Sequence, residues 1–483
     1  MSNREISPAW TAVWLATAFG AVLRFVALDD QSLWYDEVYS VQMVKWPLSV
    51  ILTVRDGHPP LFHVILSAIA PWLGEHSGRV LSAVIGAATI PLLALLGMRF
   101  YDRATGSLTA WMLAISPLHV WYSREGRMYA LYVLFAVLSS LGVERIVRRG
   151  GARSYALWAA AVLGGLLTHY GFTALVVAQV AFLALVTARG ARRWRELIPL
   201  AIVALGGAIV LMPLARELLR GPIGAERGFS PMGIPYTAFT FLTGFGIGPT
   251  ITELHWSQAL SVMRPYGVEI VATVCVFVVL AVVACKALGH AKRWNAYVLL
   301  WLCVPPLLLA TRSSVSGTSQ NVRYVISSLP AFVLLVAHGL RHERRAVAVA
   351  AWALIVVLSA ISLDREYFDV RYQREDVRAA AAFLKERVRP EDRIVIAAAE
   401  QKLTLGYYME QSHALEKLPV RVVRTPVEAD AALRHWAGRR TWVVLTREWG
   451  EDPQHYLRNE IATRDPDALA ASFPGVQVYR LEP

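Results

Sequence analysis

The chain is poor in charge. Only 17% of its 483 residues are Asp, Glu, Lys or Arg, against 55% hydrophobic. A soluble protein could neither bury nor expose that much apolar surface. Cysteine is scarce too. Cys275, Cys285 and Cys303 lie in or at the ends of apolar runs and form no CxxC pair. That excludes a disulfide framework and reads them as packing residues. There is no Walker loop and no GxGxxG, so no nucleotide chemistry is assigned. Internal repeats and low-complexity stretches are missing as well. Acidic residues fall short of basic ones, leaving a net charge of +12. The basic excess sits mostly in short loops between apolar runs, which is the positive-inside signature of a membrane protein rather than a nucleic-acid footprint.

What the chain has in quantity is apolar runs near the ~20-residue spanning length, from Trp10 to about Leu363. The first, Trp10 to Leu28, is long for a signal-peptide core and has no small-x-small cleavage site after it, so it is expected to be retained as a span. Five basic loops, Arg99–Arg103, Arg145–Arg153, Arg189–Arg195, Lys286–Arg293 and Arg341–Arg345, should all face the cytoplasm. Between them the expected spans are Val80–Met98, Gly106–Tyr122, Met128–Val147, Tyr155–Thr168, Phe172–Thr187, Leu197–Leu218, Val268–Cys285, Ala296–Thr311, Val322–Leu340 and Ala346–Leu363. Leu61–Leu73 is too short to span and parity makes it interfacial, as is Tyr236–Ile247 inside the long outer loop Gly221–Pro265. The expectation is an α-helical polytopic membrane protein of about eleven spans plus interfacial helices, its N-terminus inside and its C-terminus outside.

After Asp364 the composition changes. A helical pattern over Glu375–Val388 precedes strand candidates at Arg393–Ile396, Val420–Val423, Thr441–Leu445 and Val476–Tyr479. The alternation predicts a small extracytoplasmic α/β domain over 364–483, following a transmembrane module over 1–363.

Charge counting places several polar clusters at helix ends on the outer side. The first outer loop carries Trp34-Tyr35-Asp36-Glu37. A positioned carboxylate there can accept the proton of an attacking hydroxyl or hold a divalent cation; the plain alternative is a solvated loop. The same loop ends in Asp56-Gly57-His58-Pro59-Pro60-Leu61. The prolines fix the start of the interfacial helix, and His58 beside that N-terminus could meet a phosphate or a metal or simply cap the helix. Ser123-Arg124-Glu125-Gly126-Arg127-Met128-Tyr129 lies between two spans. Arg124 and Arg127 are three apart, on one face if the helix has begun, and paired guanidiniums suit phosphate oxygens; interface snorkelling is the alternative. Glu125 either neutralises them or serves as a metal ligand. Arg323-Tyr324, with Arg312 nearby, and His169-Tyr170 complete the set. Their common side points to one cavity for a charged, membrane-borne substrate.

These residues resemble the GT-C glycosyltransferases, and more narrowly the bacterial family 39 group related to protein O-mannosyltransferases and the aminoarabinose transferase. The likeness rests on Asp36-Glu37, His58-Pro59-Pro60-Leu61, Ser123 to Tyr129 and Arg323-Tyr324, with Glu375-Asp376-Val377-Arg378 at the head of the outer domain. It implies the GT-C fold, a polyprenyl-phosphate sugar donor, transfer outside the cytoplasm and inversion at the anomeric carbon. Carried over by position, it makes Asp36 the catalytic base with Glu37 its neighbour. Arg124, Arg127, His58, Arg323 and Tyr324 then contact the donor phosphate. Glu125 and His58 are the candidate ligands of a divalent cation, and Asp56, Tyr129, His169 and Tyr170 line the substrate cavity. Relatives such as the aminoarabinose transferase have Glu-Lys before the Pro-Pro where this chain has Gly57-His58, so the phosphate or metal contact there falls to a different residue type. The expected partners are the lipid-linked donor, membrane lipids and an acceptor the sequence does not name. Two rivals stand beside this reading. A lipid or solute transporter would need charges along a path through the membrane. A non-catalytic assembly protein would leave the Asp36 and Arg124 loops solvated and apart.

Overall fold

In the computed structural model the described residues are 8–53, 58–187, 230–256, 260–316, 320–410, 414–418 and 422–483. They form two compact units. The first takes Met1–Val26, Val44–Gly244 and Glu269–Leu363; the second takes Ala27–Met43, Phe245–Val268 and Asp364–Pro483.

The first unit is helical. Its helices are α1 (Pro8–Phe25), α3 (Leu48–Thr53), α4 (Leu61–Leu73), α5 (Ser77–Phe100), α6 (Arg103–Ile115), α7 (Pro117–Ser123), α8 (Tyr129–Arg149), α9 (Ala152–Leu166), α10 (Phe172–Thr187), α11 (Gly233–Thr243), α13 (Gly267–Ala287), α14 (Lys292–Ser316), α15 (Leu329–His342) and α16 (Arg345–Phe368). Helices α2 (Tyr35–Met43) and α12 (Ile251–Trp256) belong to the second unit. Among the described residues, six helical stretches are long and apolar enough to cross a membrane: Leu61–Phe100, Tyr129–Arg149, Ser261–Ala287, Lys292–Ser314, Val322–His342 and Arg345–Phe368. The chain is a multi-pass membrane protein. The expected span Leu197–Leu218 lies outside the described residues.

Local sequence sets the helix ends. Helix α4 begins directly after Pro59-Pro60, as the proline pair predicts, and stops at Gly74, whose φ of 58° breaks it from α5. Asp102 caps α6 by accepting from the Thr105 amide at 2.8 Å. Helix α8 ends in Arg148 and Arg149 before Gly150, at φ 62°, so both the dipole and the left-handed turn close it. The expected single span Gly106–Tyr122 is in fact broken. Ser116 is extended at ψ 114° and Pro117 opens α7, because a proline disfavours helical backbone in the residue before it. Likewise Val322–Leu340 splits into a 3-10 turn over Val322–Ser328 and then α15, with Pro330 in its first turn.

Two networks pair polar groups inside the bundle, as a lipid surround favours. Gln179 accepts from the Trp158 indole at 2.7 Å and donates to Ser139 at 2.8 Å and Tyr297 at 3.2 Å, tying α8, α9, α10 and α14. Arg24, fully buried in α1, donates to the carbonyls of Gly20, Leu113 and Ala114 at 2.6–3.1 Å and to His119 Nδ1 at 2.6 Å. It satisfies the last carbonyls of α6 where Pro117 prevents the helix from continuing. The three cysteines correct their expected role. All are exposed on the outer faces of α13 and α14, where a membrane helix is apolar because lipid, not protein, covers it.

Contacts join four of the five basic loops. Glu144 pairs with Arg99 at 3.1 Å and Arg148 at 2.7 Å. Lys286 pairs with Glu343 at 2.9 Å, and Arg341 stands 4.0 Å from Asp102. The fifth loop, Arg189–Arg195, lies outside the described residues. Helices α8 and α15 run from the candidate-site loops at their N-terminal ends to these basic loops at their C-terminal ends.

The second unit has a five-stranded sheet in the order β2-β1-β3-β5-β4. Its strands are β1 (Arg393–Ile396), β2 (Leu415–Lys417), β3 (Thr441–Thr446), β4 (Leu469–Phe473) and β5 (Val476–Leu481). β1 runs parallel to β2 and β3, while β5 runs antiparallel to β3 and β4. Val395, Val443 and Leu445 pack on Pro426–Trp436 and Tyr456–Arg464, whereas Ile394, Ile396, Trp442 and Val444 pack on Val377–Arg387 and Gln401–Tyr408. Both faces are covered, which is why β1 and β3 read as apolar runs rather than alternations. The expected strand Val420–Val423 is described only in part. Val422 and Val423 lie outside any strand, residues 419–421 are outside the described residues, and β2 sits earlier. Strand β4, Leu-Ala-Ala-Ser-Phe, carries no strand signal in sequence.

Candidate functional site

Within the helical unit, five expected residues gather with Tyr132. His169, in the turn between α9 and α10, stacks on Tyr132 with centroids 4.6 Å apart and planes 13° apart. His58 lies 5.3 Å, Tyr324 5.8 Å and Tyr129 6.1 Å from the same imidazole. Arg323 stands over Tyr129 at 6.0 Å and Tyr324 at 5.3 Å. The Tyr132 hydroxyl donates to the Tyr324 carbonyl at 3.2 Å and accepts from Ser327 at 2.9 Å. Gly171 makes this approach possible. A Cβ there would meet the Tyr324 carbonyl at 2.8 Å, His169 Nδ1 at 2.9 Å and the Tyr132 hydroxyl at 3.0 Å.

The cluster is cationic. His169 is buried, and burial together with the charges of Arg323, Arg127 and Arg312 pushes its imidazole down to about 3. His58 is lowered as well, first by burial and then by His169, Arg127, Arg323 and His63. Both rings are therefore neutral at physiological pH. His169 Nδ1 accepts from the Gly171 amide at 2.9 Å, which puts the ring proton on Nε2. That Nε2 is buried with no hydrogen-bond partner among the described residues.

The loop carrying Arg127 is tightly seated. Gly126 backbone would lie 3.1 Å from a Cβ at Gly78, and Ser82 donates to the Arg127 carbonyl at 3.1 Å. Glu125 and Arg127 are both 3% exposed. The helix begins only at Tyr129, so Arg124 and Arg127 do not share a helical face. Arg124 turns to the end of α1, where Nη1 donates to the carbonyls of Leu23, at 3.4 Å, and Val26. Tyr170 is half-buried in the same turn as His169. Asp56 lies outside the described residues. Among the described residues, no three His, Cys, Asp or Glu side chains are grouped to hold a metal. His58 has the charges of Arg127 and Arg323 near it.

Asp36 and Glu37 lie in the second unit, in the first turn of α2 (Tyr35–Met43), where the helix dipole favours a carboxylate. Glu37 is 1% exposed; its Oε2 accepts from the Trp34 amide at 3.3 Å and from Arg374 at 3.2 Å. Asp36 is half-buried. The two carboxylates thus differ: Glu37 is committed to the loop's own structure. Arg374 and Arg447 stand over the Trp34 ring at 5.3 and 6.0 Å. Sequence reading missed these two arginines, which carry no local signal. Tyr132 had one, since it sits a helical turn from Tyr129.

Residues 57–215 match the family model described as dolichyl-phosphate-mannose-protein mannosyltransferase. No curated protein matches the chain. Among solved structures, the chain is similar to ArnT from Cupriavidus metallidurans in the apo state, with 16% identity, 98% of each chain covered and a TM-score of 0.57. The same ArnT bound to undecaprenyl phosphate matches with 14% identity, the same coverage and a TM-score of 0.57. The apo oligosaccharyltransferase of Archaeoglobus fulgidus matches with 12% identity over 95% of this chain and 72% of that one, at a TM-score of 0.54.

Proposed function

We propose that this chain, which has the fold of the GT-C glycosyltransferases, moves a sugar from a polyprenyl-phosphate-linked donor to an acceptor outside the cytoplasm, with inversion at the anomeric carbon. One observation carries the reading: Arg127, 3% exposed, and half-buried Arg323 and Arg312 bring positive charge to the buried His169 ring. Buried cations in a membrane protein are costly and mark functional sites, and a lipid phosphate is the anion a membrane supplies. The relative solved with undecaprenyl phosphate supports that donor class.

In this reading Arg127 and Arg323 hold the donor phosphate and stabilise the charge that builds on it as the sugar leaves. Neutral His169 donates from Nε2 to a phosphate oxygen, and Tyr132 keeps the ring in place. Asp36 accepts the proton of the attacking acceptor hydroxyl. Displacement in a single step inverts the anomeric centre. The donor is already activated, so no nucleotide is needed. The transferred sugar is a hexose or pentose, and the acceptor is a lipid, glycan or protein. Residues 1–363 serve as the catalytic membrane module and 364–483 as an extracytoplasmic domain. In this reading the N-terminus lies in the cytoplasm of a bacterial cell and the protein in its plasma membrane, which the basic loops support.

The test is release of polyprenyl phosphate from a labelled polyprenyl-phosphate sugar by purified protein supplied with membrane acceptors. Release above a protein-free control is the expected result. A folded protein inert towards both hexosyl and pentosyl donors would reject the assignment.

A further inference from the structure

The second unit holds a set of contacts that the proposed chemistry does not use. The loop before α2 is stitched to residues far along the chain. Arg378 donates to the carbonyls of Asp29 and Gln31, each at 3.0 Å. Ser32 donates to the Glu375 carbonyl at 2.6 Å, and the Leu33 amide donates to the Tyr408 hydroxyl at 2.7 Å. Arg374 pairs with Glu37 at 3.2 Å, with side chains only 13% and 1% exposed. Leu33, Val38 and Val41 pack with Leu403, Tyr407 and Tyr408.

Arg447 adds a second layer. It follows β3 directly and takes a left-handed backbone, φ 48°, a cost a non-glycine residue bears when its surroundings over-determine it. Its Nε donates to Glu375 at 2.9 Å. Burial lowers its pKa, but the carboxylates of Glu375, Glu400 and Asp36 outweigh that and leave it raised. Arg447 thus holds the residue, Glu375, whose carbonyl takes the Ser32 hydroxyl.

We infer that Arg374 and Arg447 are positioning residues for Asp36, so that the C-terminal α/β unit is an obligatory part of the machinery that presents the carboxylate. This rests on the role proposed for Asp36. Arg374 pins its neighbour Glu37, Arg447 braces Glu375, and both guanidiniums cover Trp34, two residues before Asp36. Neither arginine touches the reacting atoms. Their work is to fix the first turn of α2. Arg447 grips both oxygens of Glu375, Nε at 2.9 Å and Nη2 at 3.5 Å, which an amide cannot do.

Two measurements on the full-length protein test it. The first needs no turnover. Hydrogen exchange of the amides over residues 29–37 should quicken about tenfold or more in Arg374→Gln and in Arg447→Gln, while β1 and β3 stay protected. Unchanged exchange in that segment, or equal loosening of β1 and β3, would overturn the inference. The second is kinetic. Each variant should lower kcat about 10–100-fold with the donor KM within about threefold, Arg374→Lys should recover part of the loss, and the effect should vanish in an Asp36→Asn background because the groups act as a unit. Full additivity with Asp36→Asn contradicts the inference. If the wild-type protein turns over no donor, the proposed function falls, and the exchange measurement still decides the role of the arginines.

Discussion

His169 lies parallel to Tyr132, 4.6 Å between ring centroids, and takes the Gly171 amide on Nδ1 at 2.9 Å. The geometry fixes both its plane and its tautomer, leaving Nε2–H as the group it offers. Its imidazole, held down to about 3, also has a consequence for stability. The folded state binds fewer protons there than the unfolded chain, whose His titrates near 6.5. The stabilisation is fully present above about pH 6.5 and is lost as pH falls towards 3. His58, lowered in the same direction, adds to the slope. Thermal unfolding of the wild type in detergent should therefore weaken between pH 6.5 and 4, and His169→Gln should flatten that dependence. An unchanged slope contradicts the assignment.

Gly171→Ala should displace the cluster. Its Cβ would press on the Tyr324 carbonyl at 2.8 Å and His169 Nδ1 at 2.9 Å, and overpacking of this kind costs about 1–3 kcal/mol. Reduced melting temperature together with weaker undecaprenyl phosphate binding is the expected outcome, read by thermal shift with and without the lipid. Wild-type stability and binding would show that the turn has room to spare.

Arg127→Ala and Arg323→Ala should each weaken undecaprenyl phosphate binding by roughly 1.5–3 kcal/mol, the range for a charged hydrogen bond. Arg124→Ala should do less, because its Nη1 donates to the carbonyls of Leu23 and Val26. Binding isotherms in nanodiscs order the three. Arg124 proving the most damaging would move the phosphate site.

Arg24→Ala is a stability prediction. It strips partners from the carbonyls of Leu113 and Ala114 and from His119, at a cost of roughly 2–4 kcal/mol. Differential scanning of the purified protein should place it among the least stable single variants. A melting temperature within a degree of wild type would mean that these groups find other partners.

Much of this was legible in the sequence. The Pro59-Pro60 helix start, the basic loops and the apolar face of β1 and β3 follow from local chemistry. His58, Tyr129, His169, Arg323 and Tyr324, each at a helix end in the sequence, lie together in the structure. The break at Pro117 was written in the sequence too, but a strong apolar run masked it. Other features have no local trace. Arg374 and Glu37 are 337 residues apart in sequence, so nothing near either residue announces the pair. Strand β4 forms because β5 offers it an edge, not because its alanines favour extension. Arg24 sits in an apolar helix as an isolated charge, and its partners appear only when α6 is broken beside it.

The central claim is that Asp36 serves as the base in transfer from a polyprenyl-phosphate sugar. The most direct test sets wild type and Asp36→Asn side by side on a labelled donor, each with and without chelator, with undecaprenyl phosphate binding measured on both. The account predicts a loss of about 10²–10⁴-fold in turnover with binding kept. Full turnover by Asp36→Asn would contradict it.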